Sequence, residues 1–269
     1  MGAISRDLIV GRDGAMASRS GGGVHHGGLA LARLGASVHI VTRVHPEDEA
    51  ELLAPLRAEA VDLLALPSRA TTTYRNDYGA GEDRHELKAA SDPIEPEDVP
   101  ANWRKPDLVQ LTPLHPHDVV PETAVALRGL KGLDVQGLLR EPGSDGPDIL
   151  RRFLARVDVV QVSESDLSAL VREESPQRFV QRLGVKEMII TRGDRGATIV
   201  SARESREVPT QRVEDGDPIG AGDVFLASYL LLRVSGRDPV GAARGATRAC
   251  SAKLEHGTIP VGFQLGEDT

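Results

Sequence analysis

The feature that most constrains this chain is the point where a polar, glycine-rich loop becomes an apolar helix. The loop at 214–218 is acidic, and the stretch after it reads Ile219-Gly-Ala-Gly-Asp-Val-Phe. Glycines at 220 and 222 let backbone N–H groups approach a ligand without interference from a Cβ atom. Free N–H donors and the helix dipole favour an anion at such a helix start. The pattern therefore predicts an anion site.

A carboxylate stands beside this predicted anion site, because Asp223 lies in the first turn of the same helix. An acid next to an anion is unfavourable unless it has a chemical task, such as taking a proton from a hydroxyl group that attacks a phosphate. The other interpretation is an ordinary glycine-rich loop that leads into a buried helix, with Asp223 as a cap. The residues alone leave both interpretations open.

The composition argues against several classes of function. The chain has 269 residues, with 32 basic and 40 acidic side chains and a net charge of −8. We therefore expect neither a nucleic acid nor an anionic membrane as the main partner. A single cysteine, Cys250, excludes an internal disulfide and a multi-cysteine metal site. No apolar run approaches the ~20 residues of a membrane span and no signal peptide is visible, so we expect a cytoplasmic protein.

Alternating strand and helix patterns predict an α/β fold. A glycine turn leads into a helix that ends near Gly35, and β-rich runs at 37–44 and 61–66 flank a helical pattern at 47–60. This order suits a right-handed α/β sheet. Residues 71–88 read as a β-hairpin with polar faces, which taken alone is equally typical of a plain surface hairpin. With no linker or repeat, we expect one domain over 1–269.

These patterns resemble the ribokinase-like, or PfkB, carbohydrate kinases from Gly2 to about Pro260. The Gly-Ala-Gly-Asp stretch is similar to the C-terminal signature of that family, and Gly21-Gly22 with Ala30-Leu-Ala-Arg-Leu-Gly35 resembles the N-terminal one. The resemblance implies a three-layer α/β/α fold with a mostly parallel sheet and a small β lid. It also implies that the amides of Gly220, Ala221 and Gly222 form an anion hole and that Asp223 is the catalytic base.

The resemblance also implies an acceptor site built from residues along the chain. Asp7 and the glycine pair bind hydroxyl groups, and His26 stands where the family has Asn. Gln136 likewise replaces an Asn, Arg140 neutralises a phosphate, and Thr112 ends a strand, where α/β sheets bind ligands. Two alternatives stay open: Asp7 as a turn or cap residue, and Arg140 as a partner of Glu141 or of a helix end.

For the donor side, the resemblance implies ATP and Mg²⁺. Ser163 and Asp166 stand where the family has Asn-x-x-Glu, which acts through water on magnesium, and Thr191, Gly193 and Gly196 match a Thr-x-Gly-x-x-Gly hairpin beside the phosphates. Both motifs also have local interpretations. Ser163 to Asp166 suits a helix start, and the two glycines suit a turn.

Two departures from the family pattern lead to further expectations. The family's first strand, before Gly2, is missing, and the segment between Asp7 and Gly21, which usually supplies part of the lid, is short. We therefore expect a reduced lid, formed by the hairpin at 71–88. A homodimer that completes the lid is compatible with the sequence.

Three further segments narrow the expected acceptor. Thr71-Thr-Thr-Tyr, the acidic turn 91–100 and Asp134-x-Gln-x-x-x-Arg140 resemble the myo-inositol 3-kinase branch, which implies a sugar, cyclitol or similar polyol. A nucleoside or ribose-type kinase is the alternative within the family. An alternative of another class is a catalytically degenerate member that binds a metabolite or a regulatory partner.

Overall fold

The fold alternates strands and helices, as the sequence predicts. The computed structural model describes residues 1–11, 14–77, 84–140, 143, 145–214 and 216–266. The strands are β1 Ser5–Val10, β2 Met16–Gly21, β3 Val38–Val44, β4 Val61–Pro67, β5 Thr72–Asp77, β6 Arg84–Ala89, β7 Leu108–Leu111, β8 Leu130–Asp134, β9 Val159–Ser163, β10 Glu187–Thr191, β11 Ala197–Val200 and β12 Ser205–Val208. The helices are α1 Gly23–Arg33, α2 Pro46–Leu52, α3 Ala54–Arg57, α4 Thr123–Ala126, α5 Gln136–Arg140, α6 Gly146–Leu154, α7 Leu167–Val171, α8 Pro176–Leu183, α9 Ala221–Val234 and α10 Pro239–His256.

The main sheet, within the described residues, has six strands in the order β12-β11-β10-β9-β8-β7. Strands β7 to β10 run parallel, and β11 and β12 continue the sheet antiparallel. Parallel strands joined by helical crossovers are covered on both faces, which is why β9 and β10 are almost continuously apolar. The predicted α/β class is confirmed.

Neighbouring residues on the central strands enter cores on opposite faces of the sheet. On β9, Val160 packs in one core with Phe153 of α6 and Phe179 of α8. Its neighbour Val159 packs in a different core, with Leu226 and Tyr229 of α9. Successive strand side chains point to opposite faces, so the sheet lies between two layers of helices. This is the predicted three-layer arrangement.

Helix α9 lies close against the sheet, and this contact positions the predicted anion site. Gly132 of β8 has no Cβ atom, and the space that one would need is filled by the side chains of Leu226 and Leu230. A larger residue there would push α9 outward. At the start of the same helix, Gly222 lies beside the Asp134 carboxylate, at the end of β8.

A second, small sheet has the order β2-β1-β5-β6 in the described part of the chain. The hairpin predicted for 71–88 is confirmed as β5 and β6, with its turn, 78–83, outside the described residues. Residues 5–21 add the paired strands β1 and β2, so this sheet is larger than the hairpin to which the reduced lid was assigned from the sequence. Most residues of β2 are small or polar, and apolar residues do not alternate along it. The strand therefore depends on its pairing with β1, and its own sequence does not predict it.

Strands β3 and β4 form a parallel pair apart from the main sheet. A cavity of about 280 Å³, lined partly by Ile40 of β3 and Val109 of β7, lies between the pair and the main sheet. Residues 1–4 form no strand, although the Met1 amine donates to the Gln110 carbonyl oxygen at 2.7 Å. Among the described residues, no helix has the length and apolar character that crossing a membrane requires.

A buried ionic cluster joins α9 to β10, and its removal is expected to destabilise the fold. Glu187 accepts hydrogen bonds from the Tyr229 hydroxyl at 2.6 Å and from the Arg233 guanidinium at 2.7 Å. We predict that Glu187→Ala lowers the free energy of unfolding by about 2–4 kcal/mol, because it leaves the buried Tyr229 hydroxyl unpaired and removes the carboxylate partner of the partly buried Arg233 guanidinium. Urea denaturation measures this. Glu204→Ala, which removes an exposed ion pair with Arg206, is the control and should cost about 1 kcal/mol or less; equal losses in both variants would contradict the prediction.

Candidate active site

The N-terminus of α9 presents free backbone donors. Gly220 caps the helix in the left-handed conformation, with a φ of 76°, which favours glycine. Within the described residues, the amides of Gly220, Gly222 and Asp223 have no acceptor, whereas the Ala221 N–H donates to the Pro218 carbonyl oxygen at 3.0 Å. The free donors therefore lie at 220, 222 and 223 rather than at the predicted 220–222, because the turn at Pro218 engages Ala221.

Three carboxylates from different elements meet beside these donors: Asp7 of β1, Asp134 at the end of β8, and Asp223. Burial, followed by the negative charges of Asp134 and Asp7, raises the pKa of Asp223 to about 8. Burial is also the main cause that raises the pKa values of Asp7 and Asp134. Like charges in one poorly solvated space oppose ionisation, so a proton is held here close to neutral pH.

Arg140 supplies positive charge to this cluster. Its guanidinium opposes the rise in the pKa of Asp7, of Asp134 and of Asp223. Arg140 ends α5 and is itself exposed, so it can also meet a solvent-borne anion. Glu141, the alternative partner considered from the sequence, lies outside the described residues.

Two buried glutamines hold the start of α9 against the strand ends. The Gln161 amide donates to the Asp134 carboxylate at 3.0 Å and to the Gly222 carbonyl oxygen at 2.9 Å. The Gln110 amide donates to the Asp223 carbonyl oxygen at 3.0 Å. Neither glutamine was predicted from the sequence. Each is a lone polar residue inside an apolar strand. Such a residue indicates a buried amide that needs hydrogen-bond partners, and this pattern could have pointed to both.

The glycine turn before α1 forms the opposite wall of the site. The Asp7 carboxylate occupies the space that a Cβ atom at Gly21 would need, and the His26 ring does so at Gly220. Gly22 has a φ of 86° and leads into the helix. Asp7, Gly21, His26 and Gly220 are therefore brought together, as the resemblance implies.

His26 is a neutral ring with an unused nitrogen. Burial lowers the pKa of His26 to about 3, so the imidazole is uncharged near neutral pH. Its Nε2 atom is buried and has no hydrogen-bond partner among the described residues. Buried polar atoms are normally satisfied, and a neutral imidazole nitrogen pairs readily with a hydroxyl group. The observation fits a hydroxyl-bearing ligand.

Thr112 and Gln136 are close to the site in different ways. Thr112 is 3% exposed, and its side chain lies against Gly23 at the start of α1, which gives it a packing role. The Gln136 backbone N–H donates to the Asp134 carboxylate at 2.9 Å, and its side chain is half-buried. Contact of either residue with a substrate stays a prediction.

On the donor side, the local interpretations of both motifs hold. The Ser163 hydroxyl accepts from the Asp166 N–H at 3.2 Å and donates to the Asp166 carboxylate at 2.7 Å, as at a helix start. Gly193 and Gly196 have φ values of 58° and 84° in the turn after β10. Thr191 pairs with Ser163 across the sheet. A nucleotide role for these residues stays a prediction, although they line the edge where the parallel strands end.

A Mg²⁺ ion would find few protein ligands here. The described residues contain no group of three or more His, Cys, Asp or Glu side chains placed to hold a metal. Mg²⁺ usually keeps several waters and needs only one or two carboxylates beside phosphate oxygens. Asp134 and Asp166 fit this requirement, since Asp166 lies near enough for its charge to raise the pKa of Asp134.

Comparison with known proteins identifies the family. The sequence profile of the "pfkB family carbohydrate kinase" family matches residues 28–259, and the chain therefore belongs to this family of kinases. A cytidine kinase from Thermococcus kodakarensis is 26% identical over 244 residues, which is 86% of each chain.

Solved structures confirm the ribokinase-like fold. A pyrophosphate-dependent kinase in the ribokinase family, complexed with a pyrophosphate analogue and myo-inositol, superposes with a TM-score of 0.80 at 21% identity, over 94% of this chain and 93% of that one. An E. coli protein assigned to ribokinase II, in complex with ATP and Mg²⁺, gives a TM-score of 0.74 at 20% identity, over 96% and 92%. The family and fold predicted from the sequence are both confirmed.

The raised pKa of Asp223 predicts a specific pH dependence of stability. The folded protein binds this proton more tightly than the unfolded chain does, because the pKa rises from 3.8 to about 8 on folding. Stability is therefore lost as the pH rises between these values. We predict that Asp223→Asn is more stable than the wild type by about 1–3 kcal/mol at pH 8.5 and no more stable at pH 4.

Chemical denaturation across this pH range measures the difference. Asp107→Asn, on the exposed surface, is the control and should show no such trend. A stability difference between Asp223→Asn and the wild type that is the same at both pH values would contradict the prediction.

Proposed function

We propose that this protein transfers the γ-phosphoryl group of ATP to a hydroxyl group of a sugar or cyclitol such as myo-inositol. The observation that carries the proposal is the position of the Asp223 carboxylate beside the free amides at the start of α9. Its pKa is about 8. One element thus combines a group that accepts a proton near neutral pH with donors that stabilise a transferring phosphate.

The proposed step is a single in-line transfer. The acceptor O–H bond breaks and its proton passes to a carboxylate oxygen of Asp223. The acceptor oxygen bonds to the γ-phosphorus, the bond from that phosphorus to the bridging oxygen breaks, and ADP leaves. The amides of Gly220, Gly222 and Asp223 take up the charge on the phosphoryl oxygens. Mg²⁺, when bound, would neutralise charge on the donor phosphates, with Asp134 and Asp166 holding it through water.

The other polar groups position the acceptor. Asp7 and the free Nε2 of His26 would bind hydroxyl groups, and Gln136 would add an amide. The exposed Arg140 would pair with a phosphate. Such positioning, together with electrostatics, supplies most of the acceleration in phosphoryl transfer. ATP as the donor fits the cytoplasmic location expected from the sequence.

Two alternatives within the family are favoured by specific similarities. The similarity to a cytidine kinase, which extends over 86% of both chains, favours a nucleoside acceptor. The similarity to a structure that contains a pyrophosphate analogue favours pyrophosphate as the donor. A catalytically degenerate protein is less well supported, because a pure binder would gain nothing from a carboxyl group placed beside the free amides of an anion site.

The proposal is tested by turnover with ATP or pyrophosphate, each with Mg²⁺, against a panel of inositols, aldoses, ketoses and nucleosides. We predict turnover with ATP and a polyol, and a fall of about 10²–10⁴-fold in kcat for Asp223→Asn, since the variant lacks the base. Nucleotide binding, measured by calorimetry, should be retained.

Each outcome separates one interpretation from the others. Asp107→Asn is the surface control and should keep wild-type turnover. Near-normal kcat in Asp223→Asn would contradict the mechanism. Turnover only with nucleosides would favour the nucleoside kinase over the polyol kinase. Turnover only with pyrophosphate would favour pyrophosphate over ATP as the donor. No turnover from a folded, ATP-binding protein would favour the degenerate interpretation.

A further inference from the structure

A buried cation is bound to the loop that leads into α9. Lys253 of α10 is 4% exposed, and its ammonium donates to the carbonyl oxygens of Asp217 and Ile219, each at 2.5 Å. A buried lysine is costly unless it is paired and hydrogen-bonded. Here its main partners are backbone oxygens next to the anion site rather than a carboxylate.

The contact with Ile219 has a geometric consequence for the site. In a planar trans peptide, the carbonyl oxygen of one residue points away from the N–H of the next. When Lys253 fixes the Ile219 carbonyl oxygen, it also fixes the Gly220 N–H in the opposite direction. That N–H is one of the donors without an acceptor in the described residues. Lys253 thereby orients the Gly220 N–H, one of the donors of the proposed anion hole.

The loop is also held from its other side. The Asp217 carboxylate accepts from the Ile219 N–H and from the Arg19 guanidinium of β2, both at 3.0 Å. These groups are more exposed than Lys253, so their hydrogen bonds compete with water. Lys253 is thus the buried attachment, and it joins the loop to α10.

Lys253 also acts on the charges of the site. Its ammonium opposes the rise in the pKa of Asp223 and helps to lower the pKa of His26. Burial lowers the pKa of Lys253 itself, and the groups that face it are Asp217, Cys250, Asp223 and Arg19. Loss of this charge would therefore leave Asp223 harder to ionise.

We propose that Lys253 is a positioning residue for phosphoryl transfer, whose ammonium fixes the loop carbonyls so that the Gly220 amide faces the transferring phosphate beside Asp223. The proposal rests on the proposed function of the site. Lys253 need not touch either substrate. A purely structural role would affect stability alone, whereas a positioning role affects kcat and its pH dependence.

The test compares Lys253→Met, which keeps most of the aliphatic chain but not the charge, with Lys253→Arg, which keeps a charge and donors. For Lys253→Met we expect kcat to fall by about 10–100-fold with acceptor KM within about 3-fold of wild type. The acid limb of the kcat/KM profile should move to higher pH, because Asp223 loses a favourable charge. Added ammonium or methylammonium should restore part of kcat. Lys186→Met, which removes an exposed lysine, is the control and should change none of these values.

Lys253→Arg provides the second arm, which applies even if Lys253→Met does not fold. Its kcat should stay within about 10-fold of wild type, with the acid limb unchanged. The proposal would be overturned if the acid limb of the kcat/KM profile were displaced in Lys253→Arg, or if kcat of this variant fell as far as in Asp223→Asn. Wild-type kcat in folded Lys253→Met would also overturn it, as would a lowered kcat without a shift of the limb or rescue by ammonium ions.

The wild-type protein and Asp223→Asn separate this inference from the proposed function. If the wild type turns over an acceptor and Asp223→Asn does not, a negative result for Lys253 overturns the positioning role alone. If no acceptor is phosphorylated, the proposed function fails, and binding of inorganic pyrophosphate then tests Lys253. Affinity should fall about 10-fold or more in Lys253→Met, and equal affinity would overturn the inference.

Discussion

The organisation of this protein depends on one electrostatic conflict, the gathering of three carboxylates at the start of a helix whose amides favour an anion. Asp7, Asp134 and Asp223 each have a raised pKa because little water reaches them. The arrangement is costly for folding, and only part of the charge is balanced by Arg140 and Lys253. Such costs are typical of catalytic sites, where a shifted pKa serves the reaction.

The scaffold tolerates this conflict because α9 is held from several directions. Gln110 and Gln161 bind its first carbonyl oxygens from the sheet, and Lys253 binds the preceding loop from α10. Close packing of Leu226 and Leu230 over Gly132 sets the depth of the helix. The free amides are thus oriented before any ligand arrives, which is the condition for electrostatic stabilisation of a transition state.

Local sequence signals predicted the features that are themselves local. A glycine-rich helix start with an acid in its first turn was enough to place Asp223 and its neighbouring amides, and the strand and helix patterns predicted an α/β sheet, whereas the three layers were implied by the family resemblance. Asp134 as a charge partner, Gln161 and Lys253 could not be predicted this way, because strands and helices distant in sequence bring them together. Strand β2 was missed because its pairing with β1, rather than its own composition, makes it a strand. Engagement of the Ala221 amide depends on the exact turn at Pro218.

The most direct test of this account is the titration of the Asp223 carboxyl group itself. Carbon-13 NMR of protein labelled at aspartate side chains, with Asp223→Asn to assign the resonance, measures its pKa without reference to any substrate. We predict a transition near pH 8, as expected for a carboxylate that shares a poorly solvated site with Asp134 and Asp7. A transition near pH 4 would show that Asp223 is an ordinary solvated acid, and would contradict the proposed role of the cluster in holding a proton near neutral pH.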